Sequence, residues 1–307
     1  MSEHLTPNQR AWRRFRRNRG ASTAAVALLI LVSIILIWPL FSQPALARFL
    51  PAGLTHPADA LSDAQFSPPS FQHWFGADVH GRDLLSRIFY GARISLLVGL
   101  VGAVVSLFIG VLWGAIAGYC GGRWDGLMMR FVDILYSMPS IVFVIVLITV
   151  LNAVFGKLPI VQFIGLFAGL GAVSWLTMAR IVRGQVLTLR NRPFVDASRA
   201  LGASHTRILL RHILPNTYGI IIVYLTLTIP SIILYESFLS YLGLGVQPPQ
   251  ASLGSLIASG AAQINSIRIY WWLIVFPGAT LALTLLALNF VGDGLRDAWD
   301  PRGDRAN

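Results

Sequence analysis

The 307-residue chain is 55% hydrophobic and only 12% charged, which excludes an ordinary soluble domain, where about a quarter of the residues are charged. Its formal net charge of +11 does not indicate nucleic-acid binding, because the positive residues gather on one side of the predicted membrane spans. Cys120 is the single cysteine, so an internal disulfide bond is excluded.

Six runs of mostly apolar residues are long enough to cross a hydrocarbon core about 30 Å thick, which takes a helix of about 20 residues. We therefore expect an all-α polytopic membrane protein with six transmembrane helices. With both termini in the cytoplasm, the segments on that side hold 18 of the 24 Lys and Arg residues, the bias that orients helical membrane proteins. The runs lie at 22–41, 92–118, 130–154, 160–182, 217–242 and 271–292.

The amino-terminal residues 1–21 form a basic tail, predicted to be cytoplasmic, ahead of the first span at 22–41. Basic residues before an apolar run are also typical of a signal peptide, and Ala45–Leu46–Ala47 offers a small-x-small cleavage site. The apolar run is longer than the usual signal core of about 7–15 residues. We expect an uncleaved anchor.

Residues 42–91 are predicted to form an extracytoplasmic loop. Its second half places apolar and charged residues at helical spacing, which predicts a short amphipathic helix at the outer interface. Such a helix could be a docking surface or a lid over a translocation path, or it could only seal the edge of the protein. Its apolar residues are Leu84, Leu85, Ile88 and Phe89, and its charged ones are Arg82, Asp83 and Arg87.

Residues 92–292 are expected to form the five remaining spans. Gly110, Gly114 and Gly118 share one helix face, which favours close packing of two helices. Asp133 is predicted to be a structural partner of nearby Arg130. Glu236, in "SIILYESFLSYLGLG", is a weak candidate for the lining of a translocation path, because carboxylates inside spans tend to face the bundle interior or water.

The chain carries no recognisable catalytic motif. No G-x-x-x-x-G-K-[ST] phosphate loop occurs, and the six histidines lack the spacing of a metal site. No G-x-S-x-G elbow is present either. We expect neither enzymatic activity in this chain nor a cofactor or metal.

A polar segment, 190–216, separates the fourth and fifth spans. Pro193 suits the first turn of a helix over 194–201, and Gly202 suits the left-handed position that ends it. Ser204 can cap a second helix, 205–214, which Pro215 stops or turns into the next span. The apolar face of that second helix needs cover. The spacing leaves open whether this chain's own spans or another protein provide it.

This segment resembles the EAA loop of ABC importer permeases, whose pattern is E-A-A-x3-G-x9-I-x-L-P. Asp196–Ala197–Ser198 stand at E-A-A, Gly202 at the glycine and Leu214–Pro215 at L-P. Asp replaces Glu, Ser replaces the second Ala, and His212 stands where an apolar residue is usual. From 71 to 302 the chain resembles the peptide/nickel branch of these permeases, with the closest likeness to C-subunit permeases of oligopeptide importers and then to dipeptide permeases.

The resemblance implies a type I (MetI-like) permease core and a bacterial inner-membrane subunit of an ATP-driven peptide importer. Its partners would be a second homologous permease, two cytoplasmic ATPase subunits that hydrolyse ATP, an extracytoplasmic peptide-binding protein and membrane lipid. The tail 293–307 would be cytoplasmic. The residues expected to contact an ATPase are Asp196, Ala197, Ser198, Gly202, Ala203, Ser204, His205, Leu214 and Pro215.

Three alternatives stay open at this point. The cargo could be another substrate of the same branch, such as nickel. The chain could be a non-transporting scaffold or sensor that recruits a partner through the polar segment. It could also be an ion-coupled secondary transporter, although two isolated carboxylates make a poor proton relay and no inverted repeat is evident.

Overall fold

The computed structural model describes residues 7–41, 51–156, 159–248, 250–264 and 268–299. The predicted cleavage site at 45–47 and most of the predicted tail 293–307 lie outside these residues. The described helices, numbered in chain order, are α1 (Pro7–Arg17), α2 (Arg19–Phe41), α3 (Leu84–Cys120), α4 (Gly122–Tyr136), α5 (Ser140–Phe155), α6 (Pro159–Arg190), α7 (Pro193–Ala200), α8 (His205–Ile208), α9 (Tyr218–Tyr241), α10 (Leu253–Ala261) and α11 (Trp272–Trp299).

Within the described ranges, five helical segments are long and apolar enough to cross a membrane, and a sixth results if α4 and α5 count as one bent span. The predicted all-α membrane fold is therefore confirmed. The five segments are Arg19–Phe41, Leu84–Cys120, Gly165–Arg190, His205–Tyr241 and Trp272–Trp299.

The predicted span at 130–154 is broken within its length, because α4 and α5 meet at an angle of 84°. Pro139 lies at the break and caps the start of α5. Proline has no N–H to donate and disfavours helical backbone in the residue before it, here Met138. The helix therefore ends at Tyr136, and Ser137 donates its backbone N–H to the carbonyl of Asp133 at 3.0 Å.

Helix α3 packs along α6 through a row of small residues. A Cβ atom placed on Gly110 would lie 2.6 Å from Cβ of Met178, and one placed on Gly118 would lie 2.8 Å from the carbonyl oxygen of Arg183. Gly114 between them approaches the carbonyl of Ala179 just as closely. The predicted packing role of this glycine face is confirmed.

The predicted short amphipathic helix in the outer loop does not form as a separate element. Leu84 begins α3, which runs without a break to Cys120. Leu84, Ile88 and the charged Arg87 are all buried, because residues 51–83, here called the cap segment, pack over this end of the helix. The charged residues at helical spacing therefore do not form the predicted water-facing side. Asp83 accepts the backbone N–H of Ser86 at the start of α3, and Arg87 lies 3.5 Å from Asp78 of the cap segment.

The cap segment and the segment 193–217 lie at opposite ends of α3, and we call these the cap end and the hairpin end. At the hairpin end, α1 of the basic tail packs Ala11 and Phe15 against α2 and α11. A side chain on Gly294 of α11 would collide with Ala21. The first and last described helices are therefore joined at this end of the bundle.

Candidate functional site

The segment between α6 and α9, here called the hairpin (Pro193–Thr217), consists of two short helices joined at a glycine. Pro193 opens α7, as predicted. Gly202 has φ of +76°, the left-handed conformation in which an L side chain is strained. Its N–H donates to the carbonyl of Arg199 at 2.9 Å, and that of Ala203 donates to Ser198 at 3.1 Å. These bonds supply donors to carbonyl groups at the end of α7 that would otherwise have no hydrogen-bond partner.

Ser204 caps the second helix, and its hydroxyl accepts the backbone N–H of Arg207 at 3.4 Å. The helix does not stop at Pro215. After α8 the chain makes a π turn (Leu209–Ile213) and a 3-10 turn (Leu214–Thr217) and then enters α9. The side chains of Asn216 and Thr217 donate to the carbonyls of His212 and Leu214 at 2.6 and 2.7 Å. Pro215 lies in the first turn of this 3-10 segment, where a missing backbone N–H is tolerated.

The inner face of the hairpin is covered by this chain's own spans. Val195, Ile208 and Ile213 are each 0% exposed and pack against Val182 and Val186 of α6. Burial of an aliphatic side chain of this size contributes about 1.5–3 kcal/mol. The question that the sequence left open is thus answered for this face, which is not available to another protein.

The outer face of the hairpin exposes a second apolar set, here called the outer apolar face. Leu201 is 88% exposed, Leu210 56% and Phe194 38%. Sequence reasoning missed these residues, although Leu201 stands directly before the left-handed glycine, where the chain turns away from the bundle. At the hairpin end these exposed apolar side chains are candidates for contact with another molecule.

The nine predicted contact residues divide between the two faces. Exposed residues are Asp196, Ala197, Gly202, Ser204, His205 and Pro215, and half-buried ones are Ser198, Ala203 and Leu214. Asp196 forms an exposed ion pair with Arg199 at 3.0 Å. The half-buried set packs on the bundle or bonds within α7, so it supports the hairpin and offers little surface to a partner.

The hairpin is tied to the end of α3 by two contacts. Arg190, the last residue of α6, donates from Nη1 to the carbonyl of Tyr119 at 2.9 Å. His205, which was predicted to contact a partner, lies with Nδ1 2.9 Å from the hydroxyl of Tyr119. The hairpin is therefore held by α3 as well as by the helices that it joins.

Two ion pairs join α4 to α6 near the hairpin. Arg183 forms a two-bond contact with Asp125, with Nη2 donating at 2.7 Å, and Asp125 is only 8% exposed. Arg180 pairs with Asp133 at 2.8 Å. The predicted partnership of Asp133 with Arg130 is thus replaced by one with Arg180 of α6.

Glu236 is buried between α9, α3 and α10. It is 0% exposed, and its carboxylate accepts from the hydroxyls of Ser240 at 2.7 Å and Ser95 at 3.2 Å. Ser95 in turn accepts the backbone N–H of Leu253, the first residue of α10, at 3.1 Å. Within the described chain the carboxylate does not face an open passage and joins three helices instead. Among the described residues, no group of three or more His, Cys, Asp or Glu side chains could hold a metal ion.

Two family models match the chain. One, described as a binding-protein-dependent transport system inner membrane component, matches residues 110–305. The other, described as the N-terminal TM domain of oligopeptide transport permease C, matches residues 6–69.

Several curated proteins are similar over nearly the whole chain. The oligopeptide transport system permease protein OppC of Escherichia coli (strain K12) is 46% identical over 294 residues, which are 96% of this chain and 91% of the relative. OppC of Haemophilus influenzae is 44% identical, with 96% and 88% covered. The dipeptide transport system permease protein DppC of Bacillus subtilis (strain 168) is 42% identical, with 97% and 87% covered.

Among solved structures, the chain is similar to the MetNI methionine ABC transporter in inward-facing conformations. It is 20% identical, with a TM-score of 0.49, over 70% of this chain and 95% of that chain.

Proposed function

Since the chain belongs to the family of inner membrane components of binding-protein-dependent transport systems, we propose that it is a permease subunit of an ATP-driven importer of peptides. The relatives that support this cargo are named for oligopeptide and dipeptide transport. The chain itself has no phosphate-loop motif, so the importer needs separate ATPase subunits.

The hairpin carries the proposal. It combines an inner face fixed to the bundle by Val195, Ile208 and Ile213 with an outer apolar face around Leu201. A partner that binds the outer face and moves would pull on α3, α6 and α9 together. We propose that this partner is an ATPase subunit, and that Asp196, Ala197 and Gly202 belong to the contact.

The transport cycle follows from two arrangements of the complex. When ATP binds, closure of the ATPase pair would move the hairpin as a rigid body and favour one of these arrangements. A loaded binding protein, on the other side of the membrane, would favour the same arrangement. The complete importer would contain this chain, a second homologous permease, two ATPases and a binding protein. The excess of positive residues at the hairpin end supports a cytoplasmic location for that end and for both termini.

Uptake of a labelled peptide tests the proposed function. The purified complex is reconstituted in vesicles with its binding protein, and labelled trialanine is added outside, with ATP or a non-hydrolysable analogue enclosed. We expect accumulation only with ATP. A complex that hydrolyses ATP without accumulating trialanine or a longer alanine peptide would contradict the peptide cargo.

A further inference from the structure

A cavity of about 390 Å³ opens at the cap end, between the cap segment and the ends of α9, α10 and α11. This volume lies within the range of about 300–1,000 Å³ that is typical of small-molecule sites. The charged residues that line it are Asp78, Arg82 and Arg87. Two arginines thus share one aspartate, and the lining carries one positive charge in excess.

Asp78 is already engaged by other donors. Its Oδ1 accepts the backbone N–H groups of His80 and Arg82 at 2.8 and 3.0 Å, and its Oδ2 accepts Nε of Arg82 at 2.8 Å. Both oxygens of Asp78 thus already accept hydrogen bonds from other donors, and Arg87 makes only a longer contact with this carboxylate. Its Nε lies 3.5 Å from Oδ2 of Asp78 and makes no hydrogen bond.

The other carboxylate near Arg87 is a weak partner. Oδ1 of Asp59 lies 3.8 Å from Nη1 of Arg87, and the Asp59 side chain is 62% exposed, so water competes for it. Arg87 itself is only 6% exposed. A buried guanidinium with few hydrogen bonds is energetically costly, and a carboxylate bound beside Arg87 in the cavity would lower that cost.

The remaining lining matches a short stretch of peptide. Gln263 brings an amide group, and Gln247 and Ser259 bring oxygen acceptors, since their own donors already bond backbone carbonyls. Leu84 and Leu273 supply apolar wall. Amides and hydroxyls can bond the N–H and C=O groups of a peptide bond, and arginine binds a carboxylate through two parallel N–H groups. One end of a peptide chain carries both kinds of group.

We propose that this cavity receives the C-terminal carboxylate of the peptide cargo, with Arg87 and Arg82 as its charge partners. The inference rests on the proposed function and adds a specificity-determining site to it. A free peptide end is favoured over an acidic side chain of the binding protein because the arginine is recessed and the walls beside it offer groups that suit a main chain.

A comparison of two cargo peptides tests the site. Vesicles that contain the complete importer and enclosed ATP receive labelled trialanine or its C-terminal amide, each at a concentration that saturates the binding protein in a separate titration. One charge-assisted bond contributes about 1.5–3 kcal/mol, equivalent to a ratio of uptake rates of about 10 to 160 in favour of the free carboxylate. A ratio near one for the wild-type importer would overturn the site without touching the proposed function, which fails only if neither peptide accumulates.

Two variants assign the effect to the cavity. Arg87→Gln should bring the ratio of the two uptake rates close to one, and Arg87→Lys should retain part of it. Because Arg87→Gln leaves Asp78 with one partner fewer, the variant Arg82→Gln supplies a second neutral lining, in which Arg87 and Asp78 remain. If both variants keep the wild-type ratio of uptake rates, the cargo site is wrong. If they keep that ratio but weaken docking of the unloaded binding protein, the arginines bind a carboxylate of the binding protein instead.

Discussion

The guanidinium of Arg190 donates a hydrogen bond of 2.9 Å to the carbonyl oxygen of Tyr119. The bond joins the last residue of α6, just before the hairpin, to the last turn of α3, and it satisfies a carbonyl for which the helix has no donor of its own. Since α3 and α6 also pack through Gly110, Gly114 and Gly118, a displacement of the hairpin reaches both helices.

Loss of this bond should loosen the hairpin. Arg190→Leu leaves the carbonyl of Tyr119 without its charged donor, which is expected to cost about 1–3 kcal/mol. Hydrogen exchange over 193–204 should become faster in the variant, while exchange in α11 should be unchanged. Arg190→Lys, which can still reach a carbonyl, should lie between the two, and equal exchange in all three proteins would contradict the anchoring role.

Gly202 is needed for its backbone conformation and not for lack of space. Its φ is +76°, and a Cβ placed there would meet nothing within 4 Å. Gly202→Val should therefore destabilise the turn by about 1–3 kcal/mol and reduce transport, whereas Gly202→Asn should be tolerated better. Thermal unfolding and uptake of the reconstituted variants measure both effects.

Gly184 provides the matched control for that prediction. It lies inside α6, it is exposed, and a Cβ there also meets nothing within 4 Å. Because alanine favours a helix over glycine by about 1 kcal/mol, Gly184→Ala should keep or raise stability and keep transport. A transport defect as large as that of Gly202→Val would show that glycine removal at this end is harmful for another reason.

The outer apolar face should serve assembly and not stability. Leu201 is 88% exposed, so Leu201→Asp removes little packing and should shift the melting temperature by no more than a degree or two. The affinity of the Leu201→Asp permease for the ATPase subunits should fall by about tenfold or more, as expected for loss of an apolar anchor at an interface. Leu61, 75% exposed at the cap end, is the control, and Leu61→Asp should leave that affinity unchanged.

The pair Arg183–Asp125 should contribute more than the pair Arg180–Asp133. Asp125 is 8% exposed, so Arg183→Met leaves an almost buried carboxylate with no partner, at an expected cost of about 2–4 kcal/mol. Arg180→Met breaks a pair whose side chains are 39% and 58% exposed and should cost less than about 1 kcal/mol. Addition of Asp125→Asn to Arg183→Met should recover part of the loss in thermal unfolding.

Two substitutions of Glu236 distinguish a structural role of its carboxylate from a role in transport. Glu236→Leu removes the acceptor of two buried hydroxyls, those of Ser95 and Ser240, and is expected to cost about 2–4 kcal/mol. Glu236→Gln keeps the shape and one acceptor and should cost clearly less. If Glu236→Gln abolished uptake while it melted like the wild type, the carboxylate would have a role in transport that its burial in this chain does not explain.

The elements that depend on local chemistry were predictable from the sequence. Pro193, Gly202 and Ser204 each act on the backbone within three or four residues, so the two short helices of the hairpin follow from the order of residues. The apolar runs likewise predicted the membrane spans, because their length is set by the bilayer.

Features that depend on distant partners were not predictable. Arg87 lies at helical spacing beside apolar residues. This sequence pattern is the same whether the arginine faces water or is buried under the cap segment. Glu236 gave no sign of Ser95, which lies 141 residues away along the chain. Leu201 was missed because its exposure depends on which side of the hairpin packs against the bundle, and residue spacing does not indicate that side.

Cross-linking at Leu201 tests the central claim most directly. Cys120 is exposed and is first replaced by serine, after which Leu201→Cys is introduced, with Leu61→Cys as the control at the cap end. We predict that a short thiol cross-linker joins Leu201→Cys to an ATPase subunit, that the control forms no such product, and that the cross-linked importer loses ATP-driven uptake of trialanine. Absence of any ATPase product from Leu201→Cys in an assembled, transporting complex would contradict the account.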